Sequence, residues 1–327
     1  MGVAAAPAAR RTWRLAGNFK LSSQVPQVGL PSPDLRQAHP PSPLGPSTGE
    51  SMLRSSLRSL VALSATSRVP GLITFDCTGT LFEGIKPVGE QYMQALCEVR
   101  GGAAVTLDES ALDRAFLTAY NRATSERPCF GYGQCEAYEW WRDVVYESFS
   151  TAGLPADASA ALLPDTFDIL WHRFCTRDGF QLRAHAGECL ERLHAWRESQ
   201  PEGERTRIAV ISNWDDRLPA LLDDLGVLSD MDAVITSREI GAEKPDSRIF
   251  EAARERLGVP RSARCIHIGD SWSRDVLGAH DSGFEPVFVC PPSHISDSVR
   301  AQMERADVPH TYLESLSTLP GHLGIGR

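Results

Sequence analysis

At 327 residues the chain is long enough for one large core or two modest ones, since domains commonly hold about 100–200 residues. Hydrophobic residues make up 42% and charged residues 23%, a globular balance that excludes a fully disordered or fibrous chain. The formal net charge of -9 argues against a nucleic-acid partner, because phosphate backbones reward clustered Lys and Arg; anionic small molecules stay open, since a bound cation can reverse the local field.

Residues 1–69 contain only Asp34 and Glu50 as acids against eight Lys or Arg, and the run PPSPLGP reads as an unfolded tract. From Met52 the stretch MLRSSLRSLVALSATSR is Arg- and Ser-rich, free of acids and able to form an amphipathic helix, which is how organelle transit peptides look. Two readings stand: a mitochondrial address, with Met52 as an alternative start, or a plain disordered extension. The expected location is accordingly mitochondrial or cytoplasmic. No run of about 18 apolar residues occurs, so no spanning helix and no membrane partner are expected. The eight cysteines include no CxxC pair, which favours a reducing compartment over a disulfide scaffold.

The pattern changes at Val69. GLITFD (71–76) is a short apolar run bounded by Pro70 and a Gly-Thr turn, the mark of a buried strand in a parallel sheet. From Leu81 to about Arg183 no comparable series of strand runs appears. Helical patterns fill the interval instead, in EQYMQALCEVR, ALDRAFLTAYNRA, AYEWWRDVVYESF and LLPDTFDILWHRF. The loop RPCFGYGQC interrupts them, either contacting substrate or joining two helices. Strand runs return at RIAVIS (207–212), DAVITS (232–237), CIHIG (265–269) and PVFVC (286–290), with amphipathic helices between. Strands alternating with helices predict an α/β fold with a Rossmann-like, doubly wound parallel sheet.

Ligands in such sheets bind outside the carboxyl ends of the strands. There stand Asp76-Cys77-Thr78-Gly79-Thr80 after the first run, Ser212-Asn213 at the second, Lys244-Pro245 beyond the third, and Gly269-Asp270-Ser271 with Asp275 after the fourth. The inventory is one carboxylate to attack, a hydroxyl and an ammonium to hold an anion, and two more acids to hold a hard cation. It suits phosphoryl transfer: Mg²⁺ prefers oxygen ligands, and the transition state is stabilised by positive charge and donors on its equatorial oxygens. Asp215 and Asp216 read as acids opening the next helix, where they oppose its dipole.

In order, DCTGT, ISN, KP and GDSWSRD make residues 71–290 resemble the haloacid dehalogenase superfamily. The resemblance implies that Asp76 is the nucleophile and a metal ligand, and that Thr78 offers its main-chain carbonyl to Mg²⁺. It implies further that Ser212, Asn213 and Lys244 bind the phosphoryl group, and that Asp270 and Asp275 complete or orient the metal site. The helical insert would be a cap that selects a small phosphorylated substrate. The expected division is a tail over 1–69, an α/β core over 70–83 and 184–315, and a helical cap over 84–183.

One position departs from the pattern. Phosphatases of this superfamily generally carry Asp two residues after the nucleophile, as acid for the leaving group and base for water; this chain has Thr78. Positioned acid–base catalysis is worth about 10²–10⁴ in rate. DCTGT in this respect resembles the DKTGT motif of P-type ion pumps, where Thr accompanies a persistent phosphoaspartate. Thr78 leaves two rivals to the phosphatase expectation: a catalytically weak or inactive binding or regulatory protein on the same fold, and a dehalogenase, since the dehalogenases also lack the second Asp.

Overall fold

The computed structural model describes residues 69–325; the basic tail and its transit-like stretch lie outside the described residues, apart from Val69. In chain order the elements are β1 (Leu72–Phe75), β2 (Phe82–Gly84), α1 (Val88–Glu98), α2 (Glu109–Glu126), α3 (Ala137–Thr151), α4 (Ala156–Arg173), β3 (Phe180–Leu182) and α5 (Ala186–Glu198). There follow β4 (Arg207–Ser212), α6 (Leu218–Asp224), β5 (Ala233–Thr236), α7 (Ser247–Leu257), β6 (Cys265–Gly269), a π-helical turn (Trp272–Leu277), β7 (Glu285–Val289), α8 (Asp297–Arg305) and β8 (Thr311–Leu313).

Six strands form one sheet in the order β5-β4-β1-β6-β7-β8, and every neighbouring pair is parallel. The chain works outward from β1 to β4 and β5, then crosses to the other side of β1 for β6, β7 and β8. The loops leaving β1 and β6 therefore diverge, and a crevice opens at that switch point. Side-chain alternation splits the core in two. Ile73, Phe75, Ile208, Val210, Ile266 and Ile268 face one layer with α5 and α6, whereas Leu72, Ala209, Ile211 and Cys265 face α7 through Ile249, Phe250 and Ala253. Strands buried on both faces read as continuous apolar runs, which is why their positions are plain in the sequence.

Helices α1–α4 form a separate bundle around Tyr92, Leu96, Phe149, Leu163 and Phe167. Their starts follow local chemistry: the Asp108 carboxylate accepts the Ser110 N–H to cap α2, and Glu136 with Glu139 makes a capping box on α3. Two features differ from the sequence reading. The insert is not wholly helical, because its base is an antiparallel pair, Phe82↔Leu182 to Gly84↔Phe180, where the chain leaves and re-enters the α/β layer. A sixth parallel strand, β8, extends the sheet. All three strands are only three residues long, too short for an alternating pattern to register. Among the described residues no helix is long and apolar enough to cross a membrane.

Candidate active site

The last rung of β1 carries Asp76: its main-chain N–H still donates to the Ile268 carbonyl of β6 at 2.8 Å. The chain then folds back sharply, and the N–H groups of Thr80, Leu81 and Phe82 converge on the Cys77 carbonyl. Gly79 makes this possible. It holds φ +89°, and a Cβ there would stand 2.1 Å from Asp270 Oδ2, so only glycine lets the β1 loop close against the β6 carboxylate.

Lys244 and Ser212 converge on the same oxygen of Asp76. Ser212, at the end of β4, donates from Oγ to Asp76 Oδ1 at 3.1 Å. Lys244 Nζ donates to Asp76 Oδ1 at 2.7 Å and to Asp275 Oδ1 at 2.6 Å, and only 3% of this lysine is exposed. Burial alone would lower its pKa, yet Asp275 and Asp76 together hold it above the ordinary lysine value. Asn213 is arranged differently from the expectation that it binds phosphate. Its amide brackets the Lys244 main chain, Nδ2 donating to the carbonyl at 3.1 Å and Oδ1 accepting the N–H at 2.7 Å. That side chain is spent on placing Lys244.

Asp275 is engaged through both oxygens: Oδ2 accepts the Ser271 N–H at 2.8 Å, and Oδ1 meets Lys244 and, at 3.1 Å, His267 Nε2. Burial pushes its pKa up, but Lys244 and the hydrogen bond from His267 hold it well below the carboxylate range. Asp270 has the opposite surroundings. Among the described residues no donor reaches its carboxyl group, and burial, followed by the charges of Asp76 and Asp275, raises its pKa to about 7. Arg183, which donates to the Gly79 carbonyl, and the half-buried Arg274 only moderate that rise.

The donor set fits a hard cation. Oxygens of Asp76, Asp270 and Asp275 lie within 4.8 Å of one another, and no hydrogen bond among the described residues uses the Thr78 carbonyl. Such an all-oxygen set suits Mg²⁺. Asp270, with its uncompensated charge, is the member a cation would relieve most.

Thr78 has an exposed side chain, and its Oγ1 accepts the indole N–H of Trp214 at 2.9 Å. Trp214 was not legible as a site residue, although it follows ISN directly. The expectation for Asp215 needs correction. It does not stand at the surface opening a helix; it is fully buried and accepts from Trp141 Nε1 of α3 at 2.6 Å and from Arg217 Nη2 at 2.7 Å. The Arg217 guanidinium in turn lies 3.9 Å from the centre of the Trp171 ring of α4. The four residues join the helical insert to the loop that carries Ser212. The RPCFGYGQC loop makes a second junction: the Phe130 carbonyl accepts Arg238 Nη1 at 2.5 Å, and the Tyr132 ring packs over Gly241.

Residues 70–283 match the family described as haloacid dehalogenase-like hydrolase. The mouse (Mus musculus) protein named haloacid dehalogenase-like hydrolase domain-containing protein 3 is 31% identical over 249 residues, which cover 76% of this chain and 91% of the relative. Glyceraldehyde 3-phosphate phosphatase of Methanothermobacter thermautotrophicus is 33% identical over 119 residues, 35% of this chain and 49% of the relative. A 2-haloacid dehalogenase crystal structure from Pseudomonas syringae pv. Tomato superposes with a TM-score of 0.54 at 22% identity, covering 78% of this chain and 99% of the other. That last likeness is one of fold.

Proposed function

The chain belongs to the haloacid dehalogenase-like hydrolases, and on that footing we propose that it is a Mg²⁺-dependent phosphatase that hydrolyses a small phosphorylated metabolite through an aspartyl-phosphate on Asp76. The observation that carries this reading is the cluster of Asp76, Asp270 and Asp275 with Lys244 bridging two of its members. A nucleophilic carboxylate beside a cation site and a fixed ammonium is the equipment phosphoryl transfer needs.

Asp76 Oδ1 is occupied by Ser212 and Lys244, which leaves Oδ2 to attack phosphorus. The same hydroxyl and ammonium then stand beside the transferred group, where their positive ends stabilise its oxygens. A bound Mg²⁺, held by Asp76, Asp270 and the Thr78 carbonyl with Asp275 alongside, would supply further charge neutralisation on the phosphoryl oxygens. Helices α1–α4 serve as the cap, limiting bulk solvent at the site while admitting the hydrolytic water, and selecting the alcohol. Breakdown of the aspartyl-phosphate is the weak step, because a Thr78 hydroxyl does not deprotonate water at neutral pH. A phosphatase among the relatives supports phosphoryl chemistry for this chain.

Phosphate release from a panel of phosphomonoesters, measured with and without Mg²⁺ for wild type, Asp76→Asn and Thr78→Asp, tests the proposal. Wild type is expected to turn over slowly and only with the cation, Asp76→Asn not at all. Thr78→Asp, whose carboxylate finds the same Trp214 donor, is expected to be faster by about 10²-fold. Absence of release from the whole panel would favour a binding or regulatory role. Halide release from a 2-haloacid without metal would favour carbon–halogen cleavage at Asp76, the reading for which the absence of a carboxylate at position 78 speaks.

A further inference from the structure

Thr74 and His267 stand directly opposite each other in the ladder between β1 and β6, on the face of the sheet otherwise filled by Leu72, Ala209, Ile211, Cys265 and Phe250. Both are fully buried, and the imidazole meets the Phe250 ring edge-on at 5.1 Å. Two aliphatic side chains would fill this space without desolvating polar groups, so the hydroxyl and the imidazole have a role beyond packing. Their contacts identify it. Thr74 Oγ1 lies 2.8 Å from His267 Nδ1, and His267 Nε2 lies 3.1 Å from Asp275 Oδ1.

The direction of these hydrogen bonds follows from Asp275. Both of its oxygens accept, Oδ1 from Lys244 Nζ and Oδ2 from the Ser271 N–H, so the contact with His267 is made by an Nε2–H that donates. Thr74 Oγ1 lies 2.8 Å from Nδ1 and, farther off, 3.2 Å from the Ile266 carbonyl; its one hydrogen given to the nearer Nδ1 makes that nitrogen the acceptor and leaves the ring hydrogen on Nε2. The chain of contacts then runs one way, from Thr74 to His267 to Asp275. At Asp275 Oδ1 it meets Lys244 Nζ at 2.6 Å, and Lys244 reaches Asp76 at 2.7 Å. Gly269 completes the arrangement: a Cβ there would stand 2.2 Å from Asp275 Cγ, so the carboxylate packs directly on the strand end and cannot swing while Ser271 N–H and His267 Nε2–H hold its two oxygens.

We propose that His267, its tautomer set by Thr74, is a positioning residue that locks the Asp275 carboxylate and through it places the Lys244 ammonium on Asp76. The proposal rests on the phosphatase reading for its catalytic consequence, but not for the geometry it claims. Lys244 is a flexible four-carbon stem with a point charge; without a fixed Asp275 its ammonium follows Asp76 alone and loses its aim at the phosphoryl group. Partners that orient a charged ligand in this way are commonly worth about 10–100-fold in affinity or activity.

The test uses the full-length protein and four variants: His267→Gln, whose amide can reach the place of Nε2; His267→Leu, which cannot donate; Thr74→Val, which keeps the shape and removes the hydroxyl; and Asp275→Asn. Long-range ¹H–¹⁵N spectra report the tautomer, calorimetry reports binding of inorganic phosphate in the presence of Mg²⁺, and thermal melting reports fold. The expected result is hydrogen on Nε2 and an accepting Nδ1 at His267 in wild type, and altered Nε2 signals in Asp275→Asn. Phosphate binding should weaken about tenfold in His267→Leu and recover largely in His267→Gln, with the loss of turnover falling on kcat. Thr74→Val should show mixed tautomers and an intermediate loss. Hydrogen on Nδ1 in wild type, or phosphate affinity in Thr74→Val and His267→Leu equal to wild type, would overturn the proposal. Equal losses in His267→Gln and His267→Leu would also overturn it, by assigning the residue to packing. Where His267→Leu does not fold, the tautomer and Thr74→Val decide. Failure of the phosphatase reading looks different: wild type would show the Nε2 tautomer and release no phosphate from any monoester.

Discussion

Asp270 bears a charge that no donor in the described protein meets, and this has a measurable consequence. Its folded-state pKa of about 7 exceeds the value of about 3.9 for an unfolded Asp, so the folded chain binds the extra proton between those limits. Stability from this group is therefore present at low pH and lost as pH rises toward about 7. A cation that replaces the proton should reverse the loss. Mg²⁺ is expected to raise the melting temperature more at pH 8 than at pH 5, and Asp270→Asn to raise the metal-free melting temperature at pH 8 while abolishing the response to Mg²⁺; thermal scans of both proteins with and without the cation check this. The residues of this cluster were legible in the sequence because carboxylates, a hydroxyl and a lysine at the ends of apolar strand runs carry their chemistry in their type. His267, Trp214 and the inward turn of Asp215 were not, because each acquires its role from a partner far along the chain: Asp215 from Trp141, Trp214 from Thr78, His267 from Thr74.

The β1 loop and the junction of insert to core set where those residues stand. Gly79→Ala would force a Cβ into the Asp270 carboxylate while requiring an alanine at φ +89°. Loss of Mg²⁺ binding by calorimetry, with a lowered melting temperature, is the expected outcome; an alanine variant with wild-type affinity would show that the loop has other room to move. At the junction, Trp141→Phe removes one donor from the buried Asp215 and should cost about 1–3 kcal/mol in urea denaturation. Asp215 has a pKa below the ordinary value, because the Arg217 charge and hydrogen bonds outweigh the effect of burial. Its contribution is thus present above the unfolded carboxylate pKa and lost as pH falls through the lower folded value. Asp215→Asn should flatten that acid limb of the stability profile. Five of the six parallel strands and all four long helices of the insert could be read from periodicity. The β2–β3 pair and β8 could not, being set by pairing partners rather than by their own three residues.

Taken as one body, the molecule places a sheet with a switch point beneath a helical bundle, and the two meet at the loops that follow β4 and β5. The strand end that supplies Ser212 continues into the Asp215–Arg217 contact with α3 and α4, so on the proposed reading the position of the helical bundle and the phosphoryl contact share one loop. On the proposed reading an anionic substrate would meet Lys244, Arg183 and Arg274 at the crevice, beside three carboxylates that a cation would neutralise. The central claim is covalent catalysis by Asp76 with slow release. It is tested most directly by mixing the protein with Mg²⁺ and a reactive small phosphate such as acetyl phosphate, quenching in acid and mapping the phosphorylated peptide by mass spectrometry. The account predicts phosphate on Asp76 within the DCTGT peptide, absent without Mg²⁺ and in Asp76→Asn, and shorter-lived in Thr78→Asp. Phosphate consumed while that peptide stays unmodified, or phosphate found on another residue, would contradict it.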